Sequence, residues 1–233
     1  MILHDCICLG RTVPEESKKY GKKVCSIFWS PELRQLIRVY PLMIENPCKA
    51  RSVTDLELVP NPHDFREESF KLKHPEDGIL SVHGMKDSSD IRKILESKVI
   101  DSIKTLNDRR KSIGVIKSNA AGLIKKISNQ PDIDQDQKLL FDDIFESMEF
   151  RTKIVPYICF ADATGNHTLQ IREWGCWEYI RKNSDESRKV FDNLALTQSE
   201  QYLIVGNMNN YRSTWLVVKT FKAINESIPL FEN

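Results

Sequence analysis

Three groups of residues have types and spacings that can do chemistry. The first is Arg11, Lys18, Lys19, Tyr20, Lys22 and Lys23, a lysine-rich segment with one aromatic between two apolar runs. Lysines contact phosphate by charge and a tyrosine ring can stack on a base, so such a hairpin suits a nucleic-acid strand. Arg34 and Arg38 follow on the next run and extend the patch if they share a solvent face; a solvated loop is the plain alternative. The second group is His63-Asp64-Phe65-Arg66-Glu67-Glu68. Asp64 and Glu68 can hold the divalent ion of a nuclease, or Arg66 can pair with an acid and pin the connection. The third is Cys159, Asp162 and His167. A thiol and an imidazole with seven residues between them can supply two metal ligands, but no second pair accompanies them, and core packing is the alternative. No bound metal and no cofactor are expected.

Other chemistries find no footing. Neither G-x-x-x-x-G-K-[ST] nor G-x-G-x-x-G occurs, and nine glycines leave little for a phosphate cradle. Cys6 and Cys8 share one face of a strand, which is the wrong spacing for a zinc knuckle and the right one for buried thiols. None of the five histidines lies in a recognised nucleophile motif.

Charge is balanced in total and uneven in place. The 233 residues carry 34 Lys/Arg and 33 Asp/Glu, a net +1, so no global field draws the chain to nucleic acid or membrane. Residues 11–51 are net +5 and residues 86–130 net +6, whereas residues 131–150 are net −6. No apolar run approaches the ~18 residues of a spanning helix. Met1–Gly10 lacks a basic start and a cleavage site, and the six cysteines are scattered, as in a reducing, cytoplasmic setting.

The elements that must position these groups follow from periodicity. Residues 5–12, 24–29, 33–42 and 53–59 read as short strands rich in β-branched, Cys or aromatic residues, with breaks at Tyr20-Gly21, Ser30-Pro31 and Asn61-Pro62. Several strands in ~60 residues suggest a small barrel or curled sheet. Residues 61–85 read as irregular, or as holding the barrel's last strand. A helix is expected over 88–110, a short strand over 113–117, and helices over 119–128 and 138–146. Strands at 153–160 and 167–172, helices at 174–182 and 187–193, and adjacent strands at 201–206 and 214–221 complete the pattern. Trp29, Trp174, Trp177 and Tyr211 are candidates for surface aromatics.

The C-terminus carries Ile228, Leu230 and Phe231. It resembles the bacterial sliding-clamp-binding peptide, which ends Leu-x-Leu-Phe after a Gln; Ser227 stands in place of that Gln. The alternative is a tail packed on its own domain.

Motifs along most of the chain also resemble an uncharacterised family of bacterial and mobile-element proteins. They are Arg11-Thr12…Ser17-Lys18-Lys19-Tyr20-Gly21, Ile37-Arg38-Val39-Tyr40-Pro41, Asp64-x-Arg66-x-Glu68-Ser69-Phe70, Ser112-Ile113-Gly114-Val115-Ile116-Lys117, His167-x(3)-Ile171-x-Glu173-Trp174 and Tyr202-Leu203-Ile204-Val205-Gly206-Asn207. The resemblance implies an N-terminal barrel similar to PUA-like or OB-like modules and no established activity. Family members carry a second Cys before the Gly-x-His equivalent; here Ala163-Thr164 occupy that place, which speaks against a metal site at Cys159.

The expectation is therefore an α+β chain: an N-terminal small β-barrel or curled sheet, central helices and a C-terminal α+β part. It divides as residues 1–85 and 86–233, or forms one domain. The leading function is a non-enzymatic, DNA- or RNA-associated accessory protein. A protein–protein module in a phage, plasmid or defence system and a metal-dependent nuclease stand beside it.

Overall fold

A computed structural model describes residues 1–17, 21–75, 78–126, 154–194, 196 and 200–223. The expected helix over 138–146 and the C-terminal tail with Ile228, Leu230 and Phe231 lie outside the described residues, as do Lys18, Lys19 and Tyr20.

Alternating runs in the first third build a barrel. Its strands are β1 (Ile2–Arg11), β2 (Glu15–Ser17), β3 (Gly21–Ser30), β4 (Gln35–Met43), β5 (Ser52–Pro60), β6 (Ser69–Leu72) and β7 (Ile79–Met85). The order β1-β3-β4-β6-β5 closes on itself through a β1–β5 pairing, giving a five-stranded barrel. Only β4 and β6 run parallel within the ring. β2 lies beside β3, and β7 beside β5, outside the closed ring. Of the two readings of residues 61–85, the one that gives them the barrel's last strand holds: they supply the closing strand and an outer one.

The barrel is buried on two sides along β1. Leu3, Cys6 and Cys8 point into its interior with Phe28, Ile37 and Leu56, while Ile7 and Leu9 point outward into a second core. A strand buried on both faces has no use for polar residues, which explains the run Cys6-Ile7-Cys8-Leu9. Burial pushes the Cys6 and Cys8 thiols up to about 12, so both are inert core residues.

A second sheet follows, made of β8 (Ile113–Lys126), β9 (Ile154–Asp162), β10 (Gly165–Gln170), β11 (Glu200–Asn207) and β12 (Trp215–Lys222), in the order β10-β9-β8-β11-β12. One face of this sheet (Ile113, Val115, Tyr202, Ile204, Val218) packs on the barrel's outer residues Ile7, Leu9, Ile27 and Leu36. The other face (Ile116, Ala120, Leu203, Val205, Val217) is covered by helices. These are α2 (Ile103–Asp108), α3 (Trp174–Lys182) and α4 (Val190–Asn193), the last preceded by a 3₁₀ turn at Ser184–Lys189. The layers are barrel, sheet and helices.

Two expectations are corrected. The single helix over 88–110 is two, α1 (Ser88–Glu96) and α2, because its apolar residues serve different cores: Ile91 and Leu95 enter the barrel–sheet seam, Ile103 and Leu106 the helix side. Between them Ile100 N–H donates to Val115 O at 2.8 Å, and Ser102 caps the new helix by accepting from Thr105 N–H at 3.1 Å. The helix expected over 119–128 is strand through Lys126. Residues 113–119 of β8 pair with β11, and residues 120–126 pair with β9. Ladder bonds on this scale override the helix preference of Ala120-Ala121. Gly122 is needed here, since a Cβ at this position would fall 2.1 Å from the Phe191 ring. Gly122→Ala should therefore force α4 off the sheet and cost about 1–3 kcal/mol in a denaturant titration.

Candidate functional site

Among the described residues, those singled out from sequence do not form one patch. Arg11 ends β1, on the wall of a cleft between the barrel and the second sheet. Lys22 is exposed at the start of β3, and the register sets Glu16 opposite Lys22 and Glu15 opposite Lys23. Lys23 is buried, contrary to its expected place on a solvent-facing hairpin, and is flanked in register by Met43 of β4 and Glu15 of β2. Arg34 is exposed but sits in the turn after β3, with φ 51°. At strand rise, the end of β3 lies roughly 25 Å from Lys22. Arg38, expected beside Arg34 on a free face, is only 4% exposed. The second sheet covers that face, so its guanidinium is not a phosphate contact. Trp177 is also buried, with its indole N–H donating to Ile171 O at 2.6 Å.

Arg38 belongs instead to a charged seam between barrel and sheet. Its Nη2 donates to Ser112 O at 3.1 Å and to Asn207 O at 3.3 Å. Arg66 grips Asp64 in two-pronged fashion, with Nε donating to Oδ1 at 2.7 Å and Nη2 to Oδ2, and reaches Asn207 O from Nη1 at 2.6 Å. Glu68 accepts from Ser112 Oγ at 2.9 Å, and Lys111 Nζ lies 3.5 Å from it. Burial pushes the Asp64 carboxyl up, but the Arg66 guanidinium outweighs it and leaves Asp64 below its ordinary value. Asp64 and Glu68 are thus engaged in joining two layers. The pairing of Arg66 with an acid is the arrangement that the structural alternative expects.

Cys159 and His167 are kept apart by register. His167 pairs with Phe160 and Thr168 with Cys159 across the β9–β10 hairpin. Neighbouring strand residues point to opposite faces, so the thiol and the imidazole cannot reach one ion. His167 Nε2 lies 2.8 Å from Asp162 Oδ2 instead. Burial raises the Asp162 carboxyl, but hydrogen bonds from Ile103 N–H, Thr164 and His167 prevail and hold it at about 2. Through Ile103 this carboxylate also anchors the first turn of α2.

The cleft at Arg11 is the feature with binding character. It encloses about 230 Å³ and is lined by Gly10, Arg11, Ala50, Glu173, Trp174, Gly175 and Lys219. The Arg11 guanidinium lies 4.7 Å over the Trp174 ring. Trp174 and Gly175 open α3, whose first N–H groups have no side-chain cap from Glu173. Glu173 is spoken for elsewhere: it pairs with Lys219 Nζ and accepts from Thr220 N–H at 3.3 Å. Gly10 lets Lys219 lie close, since a Cβ there would meet the lysine's own Cβ at 2.9 Å. The cleft therefore combines two cations, one carboxylate, an indole and a helix start. Sequence reasoning found Arg11 and listed Trp174. It missed Lys219, which comes from a strand more than 200 residues later and carries no local signal.

Two outcomes are expected from this geometry. Arg66→Met strands the Asp64 carboxylate in the seam and should lower stability by about 3–5 kcal/mol in urea, with part of the loss recovered in Asp64→Asn/Arg66→Met. Asp162 is held below its unfolded value of 3.8, so its contribution is full above about pH 4 and disappears as pH falls through about 2. Thermal melts across that window should flatten in Asp162→Asn. Residues 4–113 match a family described as a domain of unknown function (DUF8758), a span from β1 through the seam residue Ser112 to the first residue of β8. No curated protein and no solved structure matches the chain.

Proposed function

We propose that the chain is a non-enzymatic accessory protein that binds DNA or RNA at the cleft and its basic margin. The observation that carries this reading is the cleft itself, with Arg11 over Trp174, Lys219 behind them and the start of α3 alongside. A phosphate suits the Arg11 guanidinium and the helix start, and a base suits the indole.

The barrel's path supports the same reading. Its first three ring strands are joined in sequence and the fourth returns beside the first, the Greek-key order. A small five-stranded barrel of this kind is OB-like, and OB-fold modules use the loop between their first two strands for oligonucleotides. In this chain the connection between those strands includes β2 and, by sequence, the lysine-rich segment. The outer face of the second and third ring strands, also used by OB-folds, is covered here by the second sheet. The contact is therefore confined to the loop and the cleft, which suits a short single strand better than a long duplex. The sliding clamp remains the partner proposed for Ile228, Leu230 and Phe231.

A protein partner is the second reading, favoured by Phe65, which is 87% exposed. Its loop is tied to the one carrying the exposed Tyr211 by a hydrogen bond from Asn209 Nδ2 to His63 O at 2.9 Å. An exposed aromatic pair on linked loops is a natural anchor for another protein.

Fluorescence anisotropy with labelled single- and double-stranded DNA and RNA over a salt series separates the two. The first reading expects single-strand affinity that weakens steeply with salt. Trp174→Ala should weaken it about 5- to 100-fold, the range for one stacked base. Arg11→Glu should weaken it and reduce the salt slope, while Lys104→Glu on α2 should do neither. No binding at low salt, or equal binding by the cleft variants, overturns it.

A further inference from the structure

The flank of the barrel away from the cleft carries a second constellation. Asp55, on the outer side of β5, faces two irregularities at once. Across β1, Leu3 pairs with Leu56 and Cys6 with Thr54, so His4 and Asp5 together oppose Asp55 in a bulge. Across β7, Thr54 pairs with Val82 and Val53 with Gly84, leaving His83 as the extra residue of another bulge. Asp5 has φ 53° and Gly84 φ 145°. Both bulges turn side chains toward the same carboxylate.

We propose that Asp5, Asp55 and His83, with His4 beside them, form a binding site for a divalent transition-metal ion of the zinc class. Ligand atoms of Asp5, Asp55 and His83 all lie within 4.8 Å of one another. His83 Nε2 is 3.0 Å and His4 Nδ1 3.4 Å from Asp55 Oδ2. An ion bound at 2.0–2.2 Å in tetrahedral geometry spaces its ligands by roughly 3.2–3.6 Å, so Asp5, Asp55 and His83 draw together to take it, and His4, outside that group, swings in as a fourth ligand. One imidazole and two carboxylates, with the His4 imidazole within reach as a fourth ligand, suit zinc and its first-row neighbours, whereas magnesium and calcium prefer all-oxygen sets. Ser81 Oγ donates to Asp55 Oδ2 at 3.0 Å, in position to orient that carboxylate, and its 3.1 Å contact with His83 Nε2 would give way to the ion.

The ligands come from three strands, β1, β5 and β7, and β7 lies outside the closed ring. An ion here would fasten this outer strand to the barrel. The site rests on the β1 and β7 bulges alone and is independent of nucleic-acid binding at the cleft.

Chelator-stripped full-length protein titrated calorimetrically with zinc chloride tests the proposal. Cobalt(II) serves as an optical probe, and magnesium as the negative comparison. One zinc per chain is expected, with visible cobalt bands of a four-coordinate N/O site and a raised melting temperature. His83→Ala and Asp55→Asn should each weaken zinc by about tenfold or more. Cys25→Ser/Cys159→Ser, which removes the two half-buried thiols, should leave the stoichiometry unchanged. If Asp55→Asn fails to fold, His83→Ala and His4→Ala, both at exposed side chains, decide the matter. Absence of zinc binding in the wild type, or equal affinity in the His83→Ala variant, overturns the proposal, as does binding lost only with the thiols.

Discussion

Two buried guanidinium groups tie the second sheet to the barrel. Arg38 comes from the barrel wall and Arg66 from the connection that precedes its closing strand, and both reach the carbonyl of Asn207 at the end of a strand in the other sheet. The negative partners, Asp64 and Glu68, come from that same connection. A buried charge that loses its partner is costly, so sliding either layer against the other is opposed by electrostatics as well as packing. Arg38 Nη1 finds no acceptor among the described residues, a remaining cost that the apolar seam of Ile7, Leu9, Ile113 and Ile204 must offset.

The seam also decides where ligands can go. By covering the outer face of β3 and β4 it removes the broad surface that a small barrel of this type can offer, and it leaves two edges open. One is the cleft at Arg11, where the sheet's last strand and the start of α3 meet β1. The other is the flank formed by β1, β5 and β7, which no second layer among the described residues covers at His4 and His83, both exposed.

The strands of the barrel and the final pair β11–β12 were legible in sequence because their alternation or apolar runs are bounded by strong turn signals. The barrel's closure was less so: β6 has four residues and pairs in parallel with β4, a long-range contact with no local signature. Ala120 to Lys126 was misread because an Ala-rich segment has helical propensity while its partners, β9 and Phe191, lie far along the chain. The sites suffered in the same way. Arg38 looked like a surface residue because strand alternation says which side it faces, not whether another layer lies there. Asp55, Asp5 and His83 went unremarked since only the two bulges, invisible in a linear pattern, bring them together.

Barrel closure needs nothing beyond Leu72, whereas the sheet that covers its outer face is completed only by β11 and β12, after Glu200. On the ribosome, a barrel that closes early would present Ile7, Leu9, Ile27 and Leu36 to solvent while more than a hundred further residues are made. Such a nascent surface is sticky, and long-range strand pairing is slow to hide it. Synthesis of this chain therefore has an interval of vulnerability set by its topology, ending when Asn207 arrives to receive the two arginines.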